Sequence, residues 1–143
     1  MEEGLDRDVK LGIIEKLPAN TPAIWCHKMV VTSKPGSTKP RRTVDMSSLK
    51  KVSYRLTHPG APPFLEAQSV PAGTFKTVTD AWQGFHMVQL HPDSRMYTTF
   101  IKEQVMYRYR RMTMGDHMSM DAYNFRFDQI TKGVENKKRY ADD

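Results

Sequence analysis

The chain has 143 residues, 22 Lys plus Arg against 16 Asp plus Glu, a net charge of +6 and a pI near 9.5. That length holds one ordinary domain and an appendage, not two full domains, and 38% hydrophobic residues allow only a thin core. The lone Cys26 excludes an internal disulfide framework, the acidic start Met1-Glu2-Glu3-Gly4 is not a secretory signal, and no run approaches the roughly 18 apolar residues of a membrane span. These features predict a soluble, basic chain that is intracellular and not secreted, with no membrane partner.

Leu5, Val9, Gly12/Ile13 and Leu17 recur at helical spacing before Pro18, which predicts a short amphipathic helix over 5–17. Trp25 to Thr32 and Arg42 to Met46 read as strands, and Pro35-Gly36-Ser37 between them makes residues 25–46 a hairpin with a basic tip. Ser47 to Lys51 fits one helical turn. His58-Pro59-Gly60-Ala61-Pro62-Pro63 is a connector, followed by a brief helix from Phe64 to Val70 that Pro71-Ala72-Gly73 ends. Phe75 to Thr79 has a strand pattern that runs into Asp80. Further strands are expected at Met87–Leu90, Tyr97–Lys102 and Val105–Met112, the last two joined by Glu103-Gln104. In the last of these, period-two alternation puts Tyr107 and Tyr109 on one face and Arg108 and Arg110 on the other, either with the tyrosines inward and the arginines in water or with the rings presented for nucleobase stacking. Met120, Tyr123, Phe127 and Ile130, with Ala122 and Phe125 beside them, mark the apolar face of a helix from Ser119 to Thr131. Lys137 to Asp143 reads as a charged lead-in and a strand. The class is α+β, with segments 1–57, 58–74 and 75–143.

From Lys34 to Arg55 seven basic residues are opposed by Asp45 alone, so this stretch carries the whole net charge. It is either a solvated loop or a surface that contacts phosphates. Two acidic positions end apolar β-patterns: Asp80, and Asp142-Asp143 after Tyr140-Ala141. On adjacent strands these carboxylates would repel one another and need a cation. Oxygen-only ligands suit Mg²⁺, with Mn²⁺ as a substitute, and two such ions can serve an in-line phosphoryl transfer. Alternatively, Asp80 caps a turn and Asp142-Asp143 is a solvated tail.

The order of motifs resembles the fingers and palm of a reverse transcriptase of the long-terminal-repeat type, as in gypsy-like retrotransposons and retroviruses. Gly12-Ile13-Ile14-Glu15, Trp25 to Val31 and Lys39-Pro40-Arg41-Arg42-Thr43-Val44-Asp45 are similar to the opening helix and the two fingers strands. Phe75 to His86 resembles the strand-to-turn segment with the first catalytic aspartate, and Thr98 to Ile101 with Tyr107 to Tyr109 the following hairpin. Met114-Gly115 and Asp121 to Asp128 look like the template-side loop and helix, and Tyr140-Ala141-Asp142-Asp143 matches the Tyr-x-Asp-Asp box.

The resemblance implies a right-hand polymerase fold, fingers-like over 1–57 and palm-like over 75–143, that makes DNA on a primed RNA or DNA template from deoxynucleoside triphosphates. It implies that Asp80, Asp142, Asp143 and the Ala81 carbonyl hold two Mg²⁺, and that Lys34 and Arg41 grip the incoming triphosphate. Phe85 would stand against the sugar and select deoxynucleotides, and Met114-Gly115 would border the templating pair. Some positions depart from the family pattern: Ser47 where an arginine is usual, Met114 for Gln or Phe, Met87 for Gln, and Met120 for a small residue. The sequence stops at Asp143, before the thumb and the rest of a retroelement polyprotein, so the isolated chain is expected to have little or no polymerase activity. The alternative is a catalytically inactive retroelement remnant that binds nucleic acid.

Overall fold

The computed structural model describes residues 2–33, 36, 41–55 and 57–139. The first helix, α1 (Glu2–Lys10), ends well before the expected residue 17. Gly12 takes φ +66°, and the Ile13 and Gly12 amides donate to the Asp8 and Val9 carbonyls at 2.9 and 3.0 Å. This is a left-handed C-terminal cap that a residue with a Cβ would adopt only at a cost. The apolar spacing continues past the glycine, but Ile13 and Ile14 turn into the sheet.

Five strands form one mixed sheet among the described residues: β1 (Ile14–Lys16), β2 (His27–Thr32), β3 (Arg41–Val44), β4 (Phe100–Lys102) and β5 (Val105–Tyr109). Their order is β1-β5-β4-β2-β3. The β2–β3 hairpin pairs antiparallel with Met29 opposite Val44, the β4–β5 hairpin with Phe100 opposite Tyr107, and β1 pairs with β5. β2 and β4 run parallel, His27 opposite Phe100. The sheet thus draws strands from both sides of the 58–74 connector.

The core lies between α1 and this sheet: Leu5, Ile13, Ile14, Phe100 and Tyr107 are buried, with Val9, Met29, Val44, Val105 and Tyr109 packed against them. Phe100 stacks on Tyr107 at 5.6 Å and meets Tyr109 at 5.3 Å. Full burial of such a ring contributes about 2–3 kcal/mol. Arg108, on the opposite face, pairs with Glu15 at 2.7 Å, so the tyrosine–arginine alternation points as its period demands. His27 is buried; its Nε2–H donates to the Tyr97 carbonyl, 2.8 Å away, which leaves Nδ1 to accept from the Ser48 hydroxyl at 3.3 Å. That bond fastens α2 (Ser47–Lys50) to the sheet.

Elsewhere the expected elements shift. α3 (Pro63–Gln68) is shorter than anticipated. Residues 74–80 are exposed and form no strand: they have the composition of one, but no described segment pairs with them, and an unpaired strand does not hold its own backbone bonds. Met87 belongs to a helical turn, α4 (Gly84–Met87), and the strand expected at 87–90 is reduced to a single bridge between Gln89 and Arg111. A further turn, α5 (Pro92–Arg95), and a 3₁₀ turn (Met96–Thr98) precede β4. Residues 137–139 are irregular, and the rest of the final predicted strand lies outside the described residues.

The last helix, α6 (Ser119–Ile130), forms where expected but buries a different face. Ser119, Asp121 and Asn124 are buried, while Ile130 is 80% exposed and Phe125 half-exposed. α6 lies against the polar connector, where Asp121 accepts from Arg55 Nε at 2.9 Å and from the His58 amide at 3.1 Å. Polar partners, not apolar burial, set its rotation. No helix among the described residues is long and apolar enough to cross a membrane.

Candidate active site

Asp80 ends the exposed, irregular run 74–80 and is followed by a tight reversal. Gln83 sits in the left-handed region at φ +51°, an uncommon place for a residue with a side chain. The Gly84 amide donates to the Ala81 carbonyl at 3.2 Å and the His86 amide to the Gln83 carbonyl at 2.8 Å. This reversal turns Asp80, Ala81 and Phe85 toward a common cleft of about 220 Å³, which Gln83, Gly84, Met114 and Tyr123 complete. The Phe85 and Tyr123 rings stand 5.5 Å apart at 56°, so α6 backs the phenylalanine.

A second cleft, of about 270 Å³, shares Gln83 and Met114 with the first. Its floor is apolar, from Leu5, Ile14, Met29 and Phe100, and its rim carries Arg7, Arg41 and Arg42 against Asp8. Arg42 Nη2 donates to Asp8 Oδ2 at 2.9 Å, so one of the three arginines is neutralised by α1. His86, Tyr109, Thr113 and Gly115 line the far wall. Gly115 must be small: a Cβ there would lie 3.1 Å from the Val44 carbonyl oxygen and 3.5 Å from Met46 Cγ. Burial pushes the Tyr109 hydroxyl up to about 12, with the Asp8 carboxylate adding to the shift and Arg42 opposing it.

Four of the anticipated residues, Asp80, Ala81, Phe85 and Met114, therefore share one cleft, and Arg41, Met114 and Gly115 share its neighbour. Lys34, Asp142 and Asp143 lie outside the described residues. Gln83, His86, Tyr123 and the Asp8–Arg42 pair also belong to these walls but were not anticipated as site residues. The Gln83-Gly84 turn was the one available signal, whereas nothing local links Asp8 to Arg42 across 34 positions.

Among the described residues no three His, Cys, Asp or Glu side chains stand close enough to hold a metal ion. Of the residues that line the smaller cleft, Asp80 carries a carboxylate and Ala81 a carbonyl that already accepts from the Gly84 amide; hard oxygens of this kind suit Mg²⁺ or Mn²⁺ rather than a thiophilic ion. Asp45 is occupied elsewhere: the Ser47 hydroxyl and amide, at 2.5 and 3.0 Å, hold its carboxyl below the usual range.

This mixed α+β fold is similar to a part of solved foamy viral protease-reverse transcriptase structures. The foamy viral protease-reverse transcriptase dRH in complex with ds DNA superposes with a TM-score of 0.86 at 18% identity, over 99% of this chain and 24% of that one. The same viral protein in complex with RNA/DNA hybrid gives 0.86 at 17% identity over 99% and 18% of the two chains. The native prototype foamy virus protease-reverse transcriptase gives 0.80 at 18% identity, again over 99% and 18%. The present chain spans about a fifth of the length of these proteins. No protein-family model matches the sequence, and no curated protein is significantly similar to it.

Proposed function

We propose that the chain is a fingers-and-palm portion, 1–57 and 75–143 joined by 58–74, of a retroelement reverse transcriptase, and that its clefts serve template-directed nucleotidyl transfer. The observation that carries this reading is the meeting of Asp80, Ala81, Phe85 and Met114 on one cleft that shares Gln83 and Met114 with the arginine-rimmed one. Asp80, Asp142, Asp143 and the Ala81 carbonyl would hold Mg²⁺, which neutralises charge on the transferred phosphoryl group. Arg41, with Lys34, would grip the triphosphate by charge-assisted hydrogen bonds. Phe85, backed by Tyr123, would set the space beside the sugar, and Met114 and Gly115 would floor the templating pair. What the protein supplies is positioning and a fixed positive field at the phosphates.

The arginine rim does not depend on Asp80 and favours a second reading, nucleic-acid binding without chemistry. Trp82, exposed and two residues from Asp80, reports on both. In a Trp25→Phe background, a deoxynucleoside triphosphate with Mg²⁺ should quench Trp82, and Asp80→Asn should weaken the Mg²⁺-dependent part about tenfold or more. Unaltered Mg²⁺ dependence in Asp80→Asn would sink the catalytic reading. Salt-sensitive binding to a primer–template, weakened by Arg41→Ala, would then support the second.

A further inference from the structure

Among the described residues β3 is a margin of the sheet, paired along one side only, with β2. Beyond that ladder it meets its surroundings at two close approaches, and a glycine stands at each. At one end, a Cβ at Gly115 would lie 3.1 Å from the Val44 carbonyl oxygen. At the other, the Arg42 guanidinium lies over α1, where a Cβ at Gly4 would come within 2.9 Å of Nη2 and 3.0 Å of Cζ. Gly4 and Asp8 are four positions apart and so share one strip of the helix. The glycine leaves room for the guanidinium, and the Asp8 carboxylate, 2.9 Å from Nη2, supplies the opposite charge. Together they form a notch for a single arginine.

The notch sorts the arginines of the larger cleft. The Arg42 and Asp8 side chains are 21% and 18% exposed, so water and salt screen their attraction less than that of a surface pair. Arg7, 3.7 Å from the other Asp8 oxygen, is largely exposed and held loosely. Arg41, the exposed first residue of β3, is one peptide from Arg42 and sits on the same rim. Both α1 and β3 line that cleft, and the Asp8–Arg42 pair ties one to the other. Inside a helix glycine is ordinarily worse than alanine, so the notch carries an expectation opposite in sign to helix propensity.

We propose that Gly4 and Asp8 are positioning residues for Arg41: by seating Arg42 they fix the edge strand β3 against α1 and leave Arg41, of the two adjacent arginines, as the one presented to an anionic ligand. The inference rests on the nucleotidyl-transfer reading for naming that ligand a triphosphate, and on the notch for its substance.

The test uses the full chain in the Trp25→Phe background and two readouts, amide hydrogen exchange over residues 41–44 and Trp82 quenching by a deoxynucleoside triphosphate with Mg²⁺. Gly4→Ala is the decisive variant because it alters no charge. It should raise exchange in β3 about tenfold, leave exchange in β5 unchanged, and weaken the triphosphate about fivefold. Asp8→Asn should raise β3 exchange likewise, and the double variant should do no more than either. In an Arg41→Ala chain, Gly4→Ala should weaken the triphosphate no further, an outcome that general loosening of the fold would not give. Exchange in β3 unchanged or slowed by Gly4→Ala, as helix propensity alone would have it, would overturn the seat. Triphosphate affinity lowered by Arg41→Ala but untouched by Gly4→Ala would overturn the positioning of Arg41. A triphosphate bound equally well by the parent chain and by Arg41→Ala would overturn the grip assigned to Arg41 in the nucleotidyl-transfer reading, and the positioning with it, while β3 exchange still decides the seat.

Discussion

His86 Nδ1 lies 2.9 Å from the Met112 carbonyl oxygen, so the turn after Asp80 is fastened to the segment that leads to Met114 and Gly115. A carbonyl only accepts, so the ring carries its proton on Nδ1. The same ring stacks on Tyr109 at 6.3 Å. One side chain thereby holds the two halves of the smaller cleft in register. His86→Ala is expected to cost about 1–3 kcal/mol, because it strands a half-buried carbonyl as well as removing the bond. Urea unfolding measures this, and His86→Phe should recover part of the loss by keeping a ring against Tyr109.

Phe85 is expected to discriminate sugars by bulk. Phe85→Ala should leave affinity for a deoxynucleoside triphosphate within about threefold and improve that for the matching ribonucleotide about tenfold, as removal of a clash does. Paired Trp82 titrations with the two nucleotides check it. An unchanged ratio would make Phe85 simply a packing partner of Tyr123.

Acid should loosen the joint between α6 and the connector. The Arg55 guanidinium and the His58 amide hold the Asp121 carboxyl below its ordinary 3.8, and the His58 ring, then Arg139 and Lys137, do the same for Asp128. A carboxyl lowered by folding contributes stability that is present above its unfolded value and lost as pH falls through the folded one. Stability should therefore decline below about pH 4, by up to tenfold in the folding equilibrium per pH unit for each group. Asp121→Asn should flatten that decline in urea midpoints taken between pH 2 and 6.

The alkaline limb has the opposite origin. With Tyr109 raised from 10 to about 12, its contribution is complete below pH 10 and disappears as pH rises through the folded value. Tyr109→Phe should remove the decline between pH 10 and 12, as followed by circular dichroism, at the cost of no hydrogen bond that the hydroxyl makes to another described residue.

What the sequence made legible was local. The inward tyrosines of β5 follow from a two-residue period, and Asp80, Ala81 and Phe85 share a cleft because they lie within one six-residue stretch that contains a turn. Gly12 shows the limit of periodicity: apolar spacing runs straight through it, yet one left-handed residue ends the helix and sends Ile14 into a strand. Phe75 and Val78 have the side chains of a strand, but a strand is defined by its partner. On α6, the rotation was set by Arg55 and His58, more than 60 positions away, and no pattern within the helix records that. The pairing of Asp8 with Arg42 is equally invisible from either end.

The strand order also fixes a sequence of events in time. β1 and β2 lie within the first 32 residues but are not neighbours; the β4–β5 hairpin, complete only at Tyr109, sits between them. A nascent chain that has emerged as far as Thr99 has both margins of its sheet and no middle. Closing the parallel contact between His27 and Phe100 requires a loop of about seventy residues, the kind of step that slows folding and prolongs exposure of unpaired edges. During synthesis the apolar face of α1 must wait for Phe100 and Tyr107 to arrive, and that interval is when the chain is most open to association with other molecules.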